Sequence, residues 1–321
     1  MFHSAPKMLF LVVLLAALGL AQNSPPAAPE KASDDTSSLQ KATQNPVASL
    51  ISVPLQNNSN FGIGPNDRVQ NVLNIQPVIP LRASKDWNLI IRWIVPILWQ
   101  PAPGTQNLEV FGIEEGTPSY LAAQNALKKV GVFGLSDMQP TFFLSPAKPG
   151  KLIWGVGPFL ILPTATSSVL GQGKLSMGPS VVALTQPGNW TIGALINNAW
   201  SVAGSGGRAD VNQMLLQYFV NYNLKKGWYL SASPIVTANW KASSGNQWVV
   251  PLGGGVGRIM KLGPQPVNIT AQFYGNAVHP AGGSPWSMRL QLAFLYPKLT
   301  KQQQKMMLEK KLKQMDQEPE K

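Results

Sequence analysis

The chain has no cysteine, which excludes disulfides and thiolate metal sites and leaves the redox compartment unreadable from cysteine usage. Histidine is almost as scarce: only His3 and His279 occur, too few for a histidine-cluster zinc site. Charged residues make up 12% of the chain. That is about half the share typical of soluble proteins. Long apolar runs are lacking too. Apart from "MLFLVVLLAALGLA" at 8–21, nothing approaches the roughly 20 apolar residues of a membrane-spanning helix. Integral contact of the remainder with a bilayer would therefore need a closed barrel, the other structure that satisfies its own backbone in lipid.

What is present is rich in turn residues, with 29 glycines and 28 prolines among 321 residues. It also holds too much Val, Leu, Ile and Trp for a disordered chain. The length allows one large domain or two ordinary ones. Residues 1–21 read as a cleaved secretory signal peptide, with Lys7 as the positive region and Gly19 and Ala21 as the small residues before a cut at Gln22. Residues 22–46 are polar and proline-rich and predict a flexible periplasmic N-terminal segment. The tail, 298–321, carries seven lysines against Glu309, Asp316, Glu318 and Glu320, so the net charge of +12 is partly a tail property. Leu308, Leu312 and Met315 share one face of a short basic amphipathic C-terminal helix. That helix is either solvated or in periplasmic contact with anionic lipid headgroups or cell wall.

Between these ends lie twelve alternating runs: 47–56, 69–81, 86–99, 134–145, 151–163, 174–186, 189–202, 210–223, 227–240, 246–260, 265–278 and 285–297. Each is about 10 to 15 residues, against about 5 or 6 for an ordinary soluble strand. Connectors after even-numbered runs are tight ("RASK", "SPAKPG", "PG", "NLKK", "KLGP"). Those after odd-numbered runs, 57–68, 100–133, 164–173, 203–209, 241–245 and 279–284, tend to be longer. Short periplasmic turns and longer external loops are the habit of up-and-down membrane barrels, here with both termini periplasmic.

Alternation alone would also fit a soluble sheet. The ten tryptophans decide between the two. All lie in these runs, on the more apolar face, and Trp87/Trp99, Trp190/Trp200 and Trp228/Trp240 are pairs separated by 12, 10 and 12 residues. At a rise of about 3.3 Å and a tilt of about 40°, such a separation projects to roughly 25 to 30 Å. That matches the apolar band of about 25 Å, bordered by aromatic girdles, on an outer-membrane barrel. Trp87, Trp99, Trp190, Trp200, Trp228, Trp240 and Trp286 are the girdle candidates. The fold class expected is all-β: an antiparallel up-and-down transmembrane β-barrel of about 12 strands over 47–297, with the short C-terminal helix.

The opposite face predicts the lumen. Its lining candidates are Arg92, Gln213, Gln217, Asn221, Asn239, Gln272, Arg289 and Gln291. Within 213–223, Gln213, Gln217 and Asn221 share this face, and Leu215 and Phe219 are exceptions, apolar where the face is otherwise amide. With few acids in the strands, a strongly cation-selective pore is not expected. Mild anion preference, or passage of neutral polar and aromatic solutes, fits better. A barrel filled by its own amides and water is the alternative. Twelve strands lie between the filled eight-stranded barrel and the open porin. Loop 100–133, with Glu109, Glu114, Glu115, Lys128 and Lys129, either folds inward as a plug or lies on the surface.

Prolines 77, 80, 96, 158, 163, 234 and 251 lie in or near strands, and some must sit at bulges or strand ends. "GGGVG" at 253–257 lacks the Lys-Ser/Thr of a phosphate loop; in a strand it predicts a bulge, a kink or an aromatic neighbour over bare backbone. A Ser-His-Asp site would have to use His279 with Ser284 or Ser287, and an exposed loop histidine is the plainer reading. No catalytic, cofactor or metal site is expected.

"NPVASLISVPLQNNSNFGIGP" (45–65), "FFLSPAKPGKLIWGVGP" (142–158), "LPTAT" (162–166), "GPSVVAL" (178–184), "VNQMLLQYFVNYN" (211–223), "GWYL" (227–230) and "VPLGGGVGR" (250–258) form a set. As a set they resemble the bacterial outer-membrane proteins grouped as transporters of the meta-pathway of phenol degradation, some of them mislabelled neuromedin U. The resemblance covers roughly 45–297. It implies an outer-membrane barrel and transport of aromatic or other small hydrophobic compounds, and supplies no catalytic residues. The chain departs from the usual barrel ending, since residues follow the closing Tyr296.

The function expected is an outer-membrane channel or transporter-like protein for small solutes. The alternatives are a structural or ligand-binding barrel without flux, and a membrane hydrolase using His279. Partners expected are outer-membrane lipid and lipopolysaccharide, a small-molecule solute, the barrel assembly machinery and, through the tail, a periplasmic surface. Nucleic acid is not expected.

Overall fold

A computed structural model describes residues 31–64, 67–101, 113, 116–121 and 131–297. The signal segment and the C-terminal tail lie outside the described residues, as do the charged residues singled out in loop 100–133. The chain divides into two units, Met1–Asp35 and Thr36–Lys321, and the barrel belongs to the second.

Fifteen hydrogen-bonded segments form one sheet. Three pairs of segments are halves of single strands, which leaves twelve strands in a closed antiparallel barrel. They are β1 (Ile51–Ile63), β2 (Arg68–Ile75 with Val78–Arg82), β3 (Trp87–Pro101), β4 (Gly131–Leu135 with Gln139–Pro146), β5 (Leu152–Ile161) and β6 (Lys174–Thr185). Then follow β7 (Trp190–Gly204), β8 (Asn212–Asn223), β9 (Trp228–Ala232 with Ile235–Asn239), β10 (Trp248–Leu262), β11 (Gln265–Val278) and β12 (Trp286–Tyr296). Each strand pairs with its neighbours in sequence, and β1 closes on β12 from Ile51–Tyr296 to Phe61–Trp286. Closure removes every edge, so no row of backbone groups is left unpaired. No helix among the described residues is long and apolar enough to cross a membrane.

Two of the three breaks within strands fall where proline removes a ladder donor; the third, at 136–138 in β4, holds Asp137 instead. Pro77 separates the halves of β2 and Pro234 those of β9, without a change of register, while Pro251 sits at a register shift in β10. Even-numbered strands end in short turns at one end of the barrel, and the longer loops lie at the other. One connector breaks the expected pattern. β1 runs on to Ile63, so the loop expected over 57–68 shrinks to the residues between Ile63 and Arg68. The strand expected to start at residue 47 starts at Ile51, because Val47 to Leu50 are spent inside the barrel.

A helix, α1 (Lys31–Thr43), precedes β1. Residues 36–46 do not match the flexible segment expected there. Leu39 and Ala42, one turn apart on α1, pack with Ala48 against Leu50, Tyr229, Ile259, Ala293 and Leu295. Gln40 donates to the Trp228 carbonyl (2.9 Å), Gln44 to Asn223 Oδ1 (2.8 Å), and Gln186 donates back to the Lys41 carbonyl (2.8 Å). These partners belong to the short-turn end. A polar, proline-rich composition suggests disorder only while no enclosing wall is considered. Here the barrel supplies both the apolar surface and the amide partners.

Candidate functional site

The inner face of β3 reads as a depth gauge. From the short-turn end it presents Asn88, Ile90, Arg92, Ile94, Pro96, Leu98 and Gln100. Asn88 donates to Ser49 Oγ (3.3 Å), and fully buried Ile90 sits in a cluster with Val47, Phe143, Val182, Leu184, Leu195 and Phe219. The N-terminal segment therefore stops the lumen at this level. Near the other end, Leu98 packs with Ile113, Val169 and Leu170. Arg92, Ile94, Pro96 and Leu98 line a chamber of about 280 Å³ between the two stoppers.

The upper stopper is the β5–β6 connector, turned into the barrel. Asp137, in the break of β4, accepts from the backbone N–H of Ala165 (3.1 Å) and of Gln172 (2.6 Å). Arg208, from the β7–β8 loop, donates to the carbonyls of Gln172 and Ser168 (both 2.9 Å) and to that of Gly171. One buried acid and one buried base thus satisfy backbone groups that an inward loop would otherwise leave without water. Ile113, in loop 100–133, is fully buried in the same cluster, and Tyr120 packs beside it.

On the β9–β12 side the lumen is filled. The cause is the glycine run. On β10 the inner-face positions beside Tyr229 and Ser231 are Gly257 and Gly255, so side chains of β9 and β11 meet across bare backbone. Tyr229 Oη donates to Asn268 Oδ1 (2.9 Å) and lies 2.9 Å from Thr270 Oγ1. Gln272 donates to Ser231 Oγ (2.9 Å) and Ser233 Oγ (3.0 Å). A Cβ at position 257 would run into the Tyr229 ring, which is the aromatic cover expected over this motif. Arg289 completes the network. Its Nε donates to Asn58 Oδ1 (3.0 Å), its Nη1 to the Ser233 carbonyl (2.9 Å), and its guanidinium lies 5.1 Å over the Tyr274 ring.

The opposite side is open. β10, β11 and β12 contribute nothing to the chamber lining. Gln56, Gln70, Asn74, Gln76, Asn197 and Gln217 supply amides; Phe159, Leu215 and Ile235 supply apolar surface. Arg92 Nη2 donates to Gln76 Oε1 (2.9 Å).

The eight lumen candidates separate accordingly. Arg92 and Gln217 line the chamber. Gln272 and Arg289 are buried in the network. Asn221 is buried on the inner face opposite Thr191 and Ser231. Gln213 accepts from Gln172 Nε2 (2.7 Å) of the inward loop. Gln291 lies opposite Gln56 and Thr270. Asn239 is not in the chamber; it is exposed at the long-loop rim, where its Oδ1 accepts from Lys241 N–H (3.1 Å).

On the outer surface, Trp87, Trp190 and Trp228 open their strands at the short-turn end, and Trp99, Trp200, Trp240 and Trp286 lie toward the long-loop end. Trp87 meets Trp154 edge-on (5.8 Å), Trp240 meets Trp248 (5.3 Å), Trp286 stacks on Phe61 (3.9 Å), and Arg258 lies over Trp228 (5.0 Å) on the outside. Between them the exposed side chains are apolar, among them Val156, Met177, Val181, Ile192, Ile196 and Val220. His279 Nδ1 faces the Pro280 carbonyl (3.0 Å), and Ser284 Oγ donates to the carbonyls of Phe61 and Trp286 (both 2.7 Å), so the two are not paired as base and nucleophile.

Sequence reasoning weighed an inward fold only for loop 100–133, whose Ile113 joins the upper stopper, and missed the N-terminal segment and the β5–β6 connector. The signals were there. Leu215 and Phe219, the parity exceptions, line the chamber and pack with Val47 respectively. Asp137 is an acid in a run otherwise without one.

No protein-family model and no curated protein sequence matches the chain. Among solved structures, an outer membrane channel from Pseudomonas putida F1 matches with a TM-score of 0.53 at 13% identity, over 78% of this chain and 97% of that one. The CymD monoaromatic hydrocarbon channel matches less well (TM-score 0.40, 10% identity, 83% and 92% covered). So does the outer membrane phospholipase A of Escherichia coli (0.38, 12%, 78% and 97%). The barrel fold of this chain is thus similar to that of a bacterial outer membrane channel.

Proposed function

We propose that the chain is an outer-membrane channel that passes small solutes through the lumen, with both stoppers as its gates. The observation that carries this reading is the chamber of about 280 Å³, lined by amides and one arginine, inside a closed barrel. Polar groups facing an enclosed space of this size suit a passage holding water or solute, since in a dry cavity each would go without a partner. The apolar outer surface bounded by tryptophans supports outer-membrane lipid and lipopolysaccharide as its surroundings, and the barrel assembly machinery as the agent that inserts it. The resemblance of the motif set to the phenol meta-pathway transporters supports aromatic compounds among the solutes. The same chamber favours a transport role over an enzymatic one.

Reconstituted into liposomes, the full chain should permit swelling in phenolic solutes at rates above protein-free vesicles, and more slowly in sugars. Vesicles that stay tight to phenols, sugars and amino acids alike overturn the channel reading. The occupied lumen ends favour one alternative, a binding barrel without flux; bound solute in tight vesicles would establish it.

A further inference from the structure

Arg92 is the anomaly of the chamber. A guanidinium offers five N–H donors. Arg92 gives one hydrogen bond, to Gln76 Oε1, and has no ion pair among the described residues. None of the twelve strands carries an Asp or Glu. The described acids of the barrel unit are committed elsewhere: Asp67 and Asp86 lie in turns, Asp137 holds the inward loop, and Asp210 pairs with Lys174 (3.4 Å). Arg92 and Arg289 both lie on the inner face of the barrel, and neither has a carboxylate partner among the described residues. A lumenal cation with no counter-charge among the described residues is a place where an anion from outside is favoured. Carboxylate geometry matches the free edge of a guanidinium, which can donate two parallel bonds to it.

The rest of the chamber sets the body of that anion. Ile94, Leu98, Phe159, Leu215 and Ile235 form an apolar surface in the same space as Arg92. An apolar cavity of about 150 Å³ accepts benzene, so about 280 Å³ leaves room for one ring and a carboxylate.

We propose that the chamber is a binding site for small organic monoanions with a compact apolar body, aromatic monocarboxylates foremost, held by Arg92 at the carboxylate and by Ile94, Phe159 and Leu215 at the body. This deepens the channel reading by naming the solute class, and rests on the chamber being where solutes dwell.

The test uses benzoate, with benzamide as its neutral isostere, on the full chain. Benzoate binding to detergent-solubilised protein is measured by calorimetry, and flux of both solutes is measured in proteoliposomes. Wild type should bind benzoate at least tenfold more tightly than benzamide and pass it faster. Arg92→Gln should weaken benzoate binding and lower its flux about tenfold, while benzamide changes less than twofold. Arg92→Lys should recover part of the loss, which separates charge from a folding defect; the strand content of both variants is checked by circular dichroism. Arg92-dependent binding without flux upholds the site and overturns the channel. Flux without preference for benzoate, or an equal fall for both solutes in Arg92→Gln, overturns the site and leaves the channel. Chloride or inorganic phosphate binding as tightly as benzoate overturns the apolar half of the proposal. Neither binding nor flux overturns both readings.

Discussion

Arg92 and Arg289 are the same side chain on the inner face of one barrel, and their surroundings differ. Arg289 is buried and tied to Asn58, to the Ser233 carbonyl and to the Tyr274 ring. Arg92 has a single amide partner and faces a chamber. The difference arises on neighbouring strands. Glycines at 255 and 257 strip one wall of β10, so the side chains of β9 and β11 close over it and Arg289 caps the result. Around Arg92, β2, β3 and β4 carry full-sized side chains that hold one another apart. One half of the lumen is thus a polar core, and the other a vessel.

The largest effect should come from exchanging charge for shape at these two positions. Arg289→Met takes one donor each from Asn58, Gln272 and the Ser233 carbonyl and should cost about 3 kcal/mol. Arg92→Met loses one bond and relieves an uncompensated charge, so it should change stability by less than about 1 kcal/mol. Urea unfolding of both variants in lipid gives the ranking; equal losses would mean that the two halves are not distinct.

Next in size is Trp228→Lys, outside the filled half. It puts a charge on the outer surface at a strand end and removes an indole that packs against Arg258. The expected loss is about 2 kcal/mol, since charge on the lipid face costs roughly 1 near the border and more toward the middle, and the ring's contacts go as well. Asn239→Lys, at the exposed rim, should cost less than about 0.5 kcal/mol. Equal losses in lipid would place Trp228 outside the bilayer.

Tyr229→Phe is smaller still. It deletes one hydroxyl that serves both Asn268 and Thr270, and should cost about 1 kcal/mol with solute flux unchanged. A change in flux would extend the chamber into the filled half.

The outline of this barrel was legible because it rests on a period of two. Lipid asks for apolar residues on every second position and for indoles at the borders, and Trp87, Trp99, Trp190, Trp200, Trp228 and Trp240 stand in the sequence at that spacing. The contents of the barrel rest on contacts between residues far apart in the chain. Gln40 finds the Trp228 carbonyl 188 residues away, and Arg208 finds Ser168 at a distance of 40. No local pattern encodes such meetings. The parity exceptions Leu215 and Phe219 were their faint trace, since a strand facing only water would have kept its amides there.

The finest distinction between the two halves lies in a matched pair of amides. Gln217, on β8, lines the chamber, and its side chain makes no hydrogen bond to another described residue. Gln272, on β11, joins two serines and Arg289. Gln272→Leu should destabilise the barrel by about 2 kcal/mol, because three partners lose their bond inside the protein. Gln217→Leu removes only a group that faces the chamber, so its unfolding should shift by less than about 0.5 kcal/mol. Its mark should appear in flux instead. One wall of the chamber turns from amide to apolar, and neutral polar solutes such as benzamide should slow while toluene does not. If Gln217→Leu leaves the ratio of benzamide to toluene flux unchanged, the amide is scenery, and the solute takes another route past β8.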